Sequence, residues 1–426
     1  MKTIQTLLVA SLCAGLASGA LAQSGKDNLA ALKQMKVSGV DLNIPAVPQE
    51  GRNAEAIRAN LKNVRLPPGF RIELYAVVPD ARHMAVAPST NMLFVGTRKT
   101  RVWAVTDRNG DGIADEVKAF APSLNFKVPN GVCWTKDGFL IVVEHSRVLN
   151  FPAAEFFYEG PDVAVIEVVG QGKLIPEEEE SFNHGARVCR VGDDGKLYIT
   201  LGQPHNVQPM TKVGLYENLG IGGIVRLDPF DGSRREVFAR GVRNSVGMDF
   251  NPKDKTLWFT DNQTDGLGDE VPPGELNRAT AAGQHFGYPY WNGKFKVAGS
   301  AAAPDLKDLK EPANSVFPQV EFPAHQAQLG MSFYSGTMFP EKYRNGFFIA
   351  AHGSWNRVKA TGAHVEFVPV NANGTAGKPE VFASGWLDAT GIYKGRPVDV
   401  APMKDGSLLI SDDYVGAIYR VTYSAQ

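Results

Sequence analysis

The chain has 426 residues, 21% charged and 43% hydrophobic, with 44 Lys and Arg set against 45 Asp and Glu. A formal net charge of −1 and the lack of basic runs leave no electrostatic footprint for nucleic acid or anionic lipid. Three cysteines without a C-x-x-C-H spacing exclude covalent haem, and the absence of G-x-G-x-x-G between a strand and a helix argues against a nicotinamide cofactor.

The first residues carry Lys2, an apolar run from Leu7 to Leu16, and Ala20-Leu21-Ala22 before Gln23. This reads as a secretory signal over 1–22, which predicts a periplasmic or secreted protein. The run falls short of the roughly 20 apolar residues a membrane span needs. A lipoprotein anchor at Cys13 is disfavoured by Leu12, which stands where a small residue is wanted. Residues 23–65 are expected to form an N-terminal extension, in which NAEAIRANLKN (53–63) is the one helical segment, and 66–426 the main domain.

From there a short apolar strand recurs six times: near Leu93, Leu140, Leu197, Leu257, Phe348 and Leu409. Each copy has a strand before it, such as NGVCW or PVDVAP, and a weaker one after it, such as GIVRLDP or AIYRVTY. Turns of the Asp-Gly type, such as Lys136-Asp137-Gly138 and Asp193-Asp194-Gly195, join the first two into hairpins. Six such units in order predict an all-β, six-bladed β-propeller of four-stranded antiparallel blades. The excess length in the fifth interval, Ala298 to Pro318, reads as an inserted loop. Cys133 and Cys189 fall on inner strands of different blades; an oxidising compartment permits a bridge, but its exacting geometry weighs against one.

The segment DRNGDGIADE (107–116) has the D-x-N-x-D-G-x-x-D spacing of a calcium loop. Asp107, Asn109, Asp111 and Asp115 with the Ile113 carbonyl would make an oxygen-only structural site, while Lys118 at position twelve rules out an EF-hand. A metal-free polar hairpin is the alternative.

In an antiparallel blade, the residues before the first strand and after the second emerge at one end. That end collects His83, Arg98, Lys99, Asn130, His145, His184, Gln203, His205, Arg243, Asn244, Asp261 and Asn262. Blades five and six add Gln328, His352, Arg357, Lys394, Arg396 and Asp412. Solvated strand ends are commonly polar, but several cations converging on one axis repel each other unless an anionic ligand joins them.

The segments LPPGFRIELYA (66–76), NHGARVCRVGDDGKLYITLG (183–202), GVRNSVGMDFNPKDKTLWFTDN (241–262), HGSWNR (352–357) and GRPVDVAPMKDGSLLISDD (395–413) resemble the soluble PQQ-dependent sugar dehydrogenases. Within that family the likeness is greater to the L-sorbosone dehydrogenase-like branch, and it runs from about Leu66 onward. The resemblance implies PQQ and calcium as cofactors, His184 as catalytic base, and Arg243-Asn244 and Arg396 as cofactor contacts. It also implies calcium bound by the successive backbone carbonyls of Gln263 and Thr264. Two departures stand out: the glucose enzymes have Gly-Pro at that pair, and their cofactor lysine falls on Ser335. Lys394, His352 or Arg357 could supply the missing charge, with Asn130 as a further polar contact.

The implied reaction oxidises a sugar or sugar aldehyde, hydride passing to the quinone as His184 takes the hydroxyl proton. Tyr290 and Trp291 offer a stacking wall for the sugar, or simple packing under a loop. Electrons would pass to an external acceptor such as a cytochrome c or a quinone. The rivals are a calcium-dependent lactonase on the same architecture and a non-catalytic binding propeller.

Overall fold

The repeating apolar strand is buried on both faces in every unit, which is why it reads as an unbroken hydrophobic run rather than an alternating one. The computed structural model describes residues 44–425, so the signal segment 1–22 and Cys13 lie outside the described residues. Twenty-four strands form six antiparallel four-stranded blades around an axis. Blade one comprises Met84–Val86, Leu93–Val95, Val102–Thr106 and Glu116–Phe120; blade two Gly131–Trp134, Leu140–Val143, Val148–Phe151 and Ile166–Val169. Blade three runs from Cys189–Val191 through Leu197–Leu201 and Gly223–Leu227 to Glu236–Arg240, with Gln284–His285 added in parallel at its edge. Blade four holds Met248–Phe250, Leu257–Asp261, Gly274–Ala279 and Val320–Phe322, and blade five Gln328–Tyr334, Gly346–Ala351, His364–Pro369 and Glu380–Ala383.

Blade six is made from both ends of the ring. Pro397–Pro402, Leu408–Asp412 and Ala417–Tyr423 take their fourth strand from Phe70–Val77, in a register that pairs Phe70 with Tyr423 and Val77 with Ala417. The ring is thereby closed by backbone hydrogen bonds as well as by packing.

Six main hydrophobic clusters lie between consecutive blades. Between blades one and two, Phe120 packs edge-to-face on Phe94 and on Phe151, at 4.9 and 5.0 Å between ring centroids. The inner strands touch one another around the axis, and Cys133 and Cys189 are joined by a disulfide across blades two and three, at a Cα separation of 5.9 Å. The expectation against that bridge is thus corrected: the two inner strands run close enough to bring the thiols together.

The helix before blade one spans Arg52–Leu61 and packs Ala54, Ile57 and Leu61 against the cluster between blades five and six. Two short helices, Ala154–Phe157 and Val213–Leu219, carry no long apolar stripe and were not legible in the sequence. The insertion from Ala298 to Pro318 is a loop folded on its own small cluster of Val297, Ala303 and Leu306. Among the described residues, no helix is long and apolar enough to cross a membrane.

Candidate functional site

Connections between the second and third strands emerge at one end of the axis together with the segments that enter the first strands, and there those of blades one, three, four and five line a cavity of about 540 Å³. Of the rim residues read from the sequence, Arg98, His184, His205, Arg243, Asn244, Asn262, Gln328 and His352 line it, and so does Gln263.

His184 is held in the left-handed backbone region, at φ 57°, a strained conformation for a residue with a side chain. The chain around it is closely fitted: a Cβ on Gly185 would lie 1.8 Å from His145 Nε2, and one on Gly202 2.6 Å from the His184 carbonyl. His184 Nδ1 lies 2.5 Å from the Gln203 carbonyl, which can only accept, so Nδ1 carries the hydrogen and Nε2 keeps its lone pair. Burial, and next the positive charge of Arg243, lower its pKa to about 3, so the ring is neutral.

The arginines differ in how many donors they have free. Arg243 is nearly buried and spends Nε on the Asn206 carbonyl, Nη1 on the Asn262 carbonyl, and Nη2 on Asn206 Oδ1 and Asp265, the last at 3.1 Å. Arg82, which the sequence reading passed over for its neighbour His83, donates Nε to Asn130 and Nη1 to Asp413. Arg98 lines the cavity and makes no side-chain hydrogen bond or ion pair among the described residues; its guanidinium lies 4.3 Å from the Phe182 ring centroid. On the same carboxylate as Arg82, His352 Nε2 lies 2.8 Å from Asp413 Oδ1. Asp413 is held well below the usual carboxylate range: burial opposes the shift, but Arg82 and His352 outweigh it.

The remaining sequence candidates sit elsewhere. Asn130 is buried behind the wall, with its amide on the Arg187 carbonyl, and positions Arg82. Arg396 is stacked on Tyr393 and donates to the carbonyls of His352 and Gly353, so it braces the cavity loop and is absent from its lining. Lys394 and Arg357 line a separate groove, near Asp388 and Glu270 respectively. Tyr290 is buried against His285 and Trp291 bonds Glu311, so both belong to loop packing. The aromatics that do line the cavity are Phe182 and Trp355, 63% and 77% exposed. Exposed aromatics beside His184 and in HGSWNR were the available signal.

At the Gln263-Thr264 step neither carbonyl accepts a hydrogen bond among the described residues, and Gln263 Nε2 and Thr264 Oγ1 are buried without partners. Asn244 Oδ1 is likewise buried and unpartnered. Unsatisfied buried polar atoms are costly, and here they gather beside a surplus of cationic donors. Such a wall fits an oxygen-rich anion together with a hard cation.

The 107–116 loop connects the third and fourth strands of blade one, at the end opposite the cavity. Asp107 accepts from the amides of Gly110 and Gly112, Asn109 from that of Asp111, and Asp111 from that of Ile113. Asp115 accepts from the amides of Arg108 and Asn109. These oxygens are taken up by the loop's own amides, and among the described residues no group of three or more His, Cys, Asp or Glu side chains is placed to hold a metal ion.

A protein of Borreliella burgdorferi without an assigned function is 37% identical over 385 residues, covering 87% of this chain and 93% of that one. An aldose sugar dehydrogenase of Escherichia coli is 28% identical over 170 residues, covering 37% of this chain and 43% of that protein. Among solved structures, the holo form of the pyranose dehydrogenase PQQ domain from Coprinopsis cinerea superposes with a TM-score of 0.67 at 18% identity, over 84% of this chain and 97% of that one. The calcium structure of a Trichoderma reesei protein of Carbohydrate-Active Enzymes Family AA12 gives 0.68 at 19% identity, over 85% and 97%. At these identities the structural likeness is one of fold. The TrAA12-like family profile, however, matches residues 64–424, from just before the ring-closing strand to the last strand of blade six, and the chain therefore belongs to the TrAA12-like family.

Proposed function

We propose that this chain is an exported PQQ- and calcium-dependent dehydrogenase, acting in the periplasm or outside the cell on a sugar or sugar aldehyde of the aldose or L-sorbosone kind. The observation that carries this reading is the cavity itself: a neutral histidine with a free Nε2 facing arginine donors that have no protein acceptor. The names of the solved neighbours, PQQ and sugar enzymes, support the same chemistry.

In this reading His184 Nε2 accepts the proton of the substrate hydroxyl as the carbon–hydrogen bond breaks. Its carbonyl partner, Gln203, fixes the tautomer and the ring plane. Arg98, and the donors of Arg82 that Asn130 and Asp413 leave over, hold cofactor carboxylates, which the planar guanidinium suits. Gln263 and Thr264 would hold calcium through their carbonyls, and Asn244 offers its unpaired oxygen to the same assembly. Bound PQQ would supply the two-electron acceptor, and calcium a Lewis acid beside it. A second calcium in the loop of Asp107, Asn109, Asp111, Ile113 and Asp115 would be structural.

The test is a titration of the purified chain with PQQ, with and without calcium, followed by the change in PQQ fluorescence and by dye reduction over a panel of sugars and aldehydes. Saturable binding with calcium-dependent dye reduction is expected. Lactone hydrolysis without PQQ binding would overturn the reading.

A further inference from the structure

The loop between strands Gly346–Ala351 and His364–Pro369 has different neighbours on its two sides. His352, Trp355 and Asn356 line the cavity, whereas Arg357, Val358 and Lys359 line a second, open groove of about 1150 Å³. The same loop thus contributes to both. That loop is braced: Arg396 donates to the Gly353 carbonyl at 2.5 Å, and Tyr393 Oη lies 2.8 Å from the Thr361 carbonyl and 3.0 Å from that of Ser354, one of which takes its single hydrogen.

The groove is cationic in a chain that is nearly neutral overall. Lys62, Arg65, Arg357, Lys359 and Lys394 line it against the single carboxylate of Asp388. Arg357 is paired with Glu270 at 2.7 Å and Lys394 with Asp388 at 3.6 Å, but Lys62, Arg65 and Lys359 have no ion-pair partner among the described residues. On the shared loop, Val358 is 98% and Trp355 77% exposed. A fully exposed apolar side chain, Val358, standing among these cations suits contact with a protein surface better than a small-anion site.

We propose that this groove docks an acidic-faced, one-electron carrier protein that takes the electrons of the reaction. The inference rests on the oxidoreductase reading for its purpose, though not for its geometry. Oxidation of a hydroxyl-bearing carbon to a carbonyl releases two electrons and two protons. A protein acceptor is too large for the cavity, so two carrier molecules in succession each take one electron at the groove, and the protons pass to water. Charge complementarity selects the partner: an acidic face is steered to the groove and a basic one repelled.

The experiment uses the full chain and two carriers of opposite charge as probes, the acidic copper protein plastocyanin and the basic horse cytochrome c. Binding of isotope-labelled plastocyanin to the chain without cofactor is followed by NMR shifts, and carrier and neutral-dye reduction are followed with PQQ and calcium added. Plastocyanin should bind at low ionic strength and release as salt shortens the Debye length to about 8 Å near 0.15 M. The triple variant Lys62→Glu, Arg65→Glu, Lys359→Glu, checked for an unchanged melting temperature, should lose at least about tenfold in plastocyanin affinity and reduction rate, with dye reduction within about twofold of the parent. Equal use of cytochrome c, salt-independent binding, or an unaffected triple variant would each overturn the proposal. So would retention on vesicles of anionic phospholipid in place of plastocyanin binding. If dye reduction fails in the parent, the PQQ reading falls, while the NMR titration still decides the docking.

Discussion

His184 and the arginines around it make separable contributions. Replacing His184 with Ala removes the proton acceptor without removing any donor to a cofactor, so turnover should drop by about 100 to 10,000-fold while PQQ affinity stays near that of the parent. Single-turnover reduction and a PQQ titration on one sample check this; turnover within a few-fold at full occupancy would move the base to another histidine, His352 first. Because its pKa sits at about 3 against an ordinary 6.5, the His184 ring of the unliganded chain should remain the neutral Nδ1–H tautomer at pH 5, where an exposed histidine is protonated. Nitrogen NMR of the imidazole reports this directly. Among the arginines, Arg98→Gln should weaken PQQ binding by about 10 to 100-fold, the worth of one charge-assisted contact, with an unchanged melting temperature. Arg396→Gln should do the reverse, because its donors hold the 352–354 backbone. Sequence alone could not separate these cases. The alternation at the start of blade one turns Arg82 to the cavity and His83 to the axis, against Val132 and Arg190, and which cations have spent their donors on carbonyls shows only in three dimensions.

At the level of strands and loops, the disulfide between blades two and three closes a 56-residue segment and adds a covalent tie to packing already present. Replacing Cys133 and Cys189 by Ala should cost about 2–4 kcal/mol, read as a lowered melting temperature, with PQQ affinity little changed because neither residue lines the cavity. The second strand of every blade was legible in the sequence because burial on two faces makes it apolar, and its neighbours followed from hairpin turns marked by residues such as Gly138 and Gly195, both at positive φ. The outer strands were not, and the reason is exposure: Ile166–Val169 and Glu380–Ala383 each bury only part of their length, so their side chains need not be apolar. The bridge escaped for a related reason. Spacing along the chain says which blade a residue belongs to, whereas the approach of two inner strands depends on how the ring packs.

Over the whole molecule, the axis beneath the cavity buries charge that makes stability depend on pH in opposing ways. Asp399 accepts from the Met84 amide and lies near Arg190, yet burial dominates and raises its pKa to about 7. Between its ordinary 3.8 and about 7 the folded chain holds a proton the unfolded chain has lost, so stability falls as pH rises through that window. His145, His184 and His285, lowered to about 4, 3 and 4, mainly by burial, act the other way: the unfolded chain binds protons below 6.5 that the folded chain refuses, so stability rises with pH there. Asp399→Asn removes one side of this balance. It should match the parent near pH 4 and exceed it at pH 8 by on the order of a few kcal/mol in denaturant unfolding, and a constant difference across that range would contradict the assignment. The pairing of Phe70 with Tyr423 carries a different consequence, one for biosynthesis. The strand that finishes blade six waits, with its hydrogen-bonding edge bare, through the production of five whole blades before its partner emerges. A chain synthesised in order must therefore be kept from sticking to its neighbours until its last strand arrives, and its yield in a host should depend more on chaperones than its final stability would indicate.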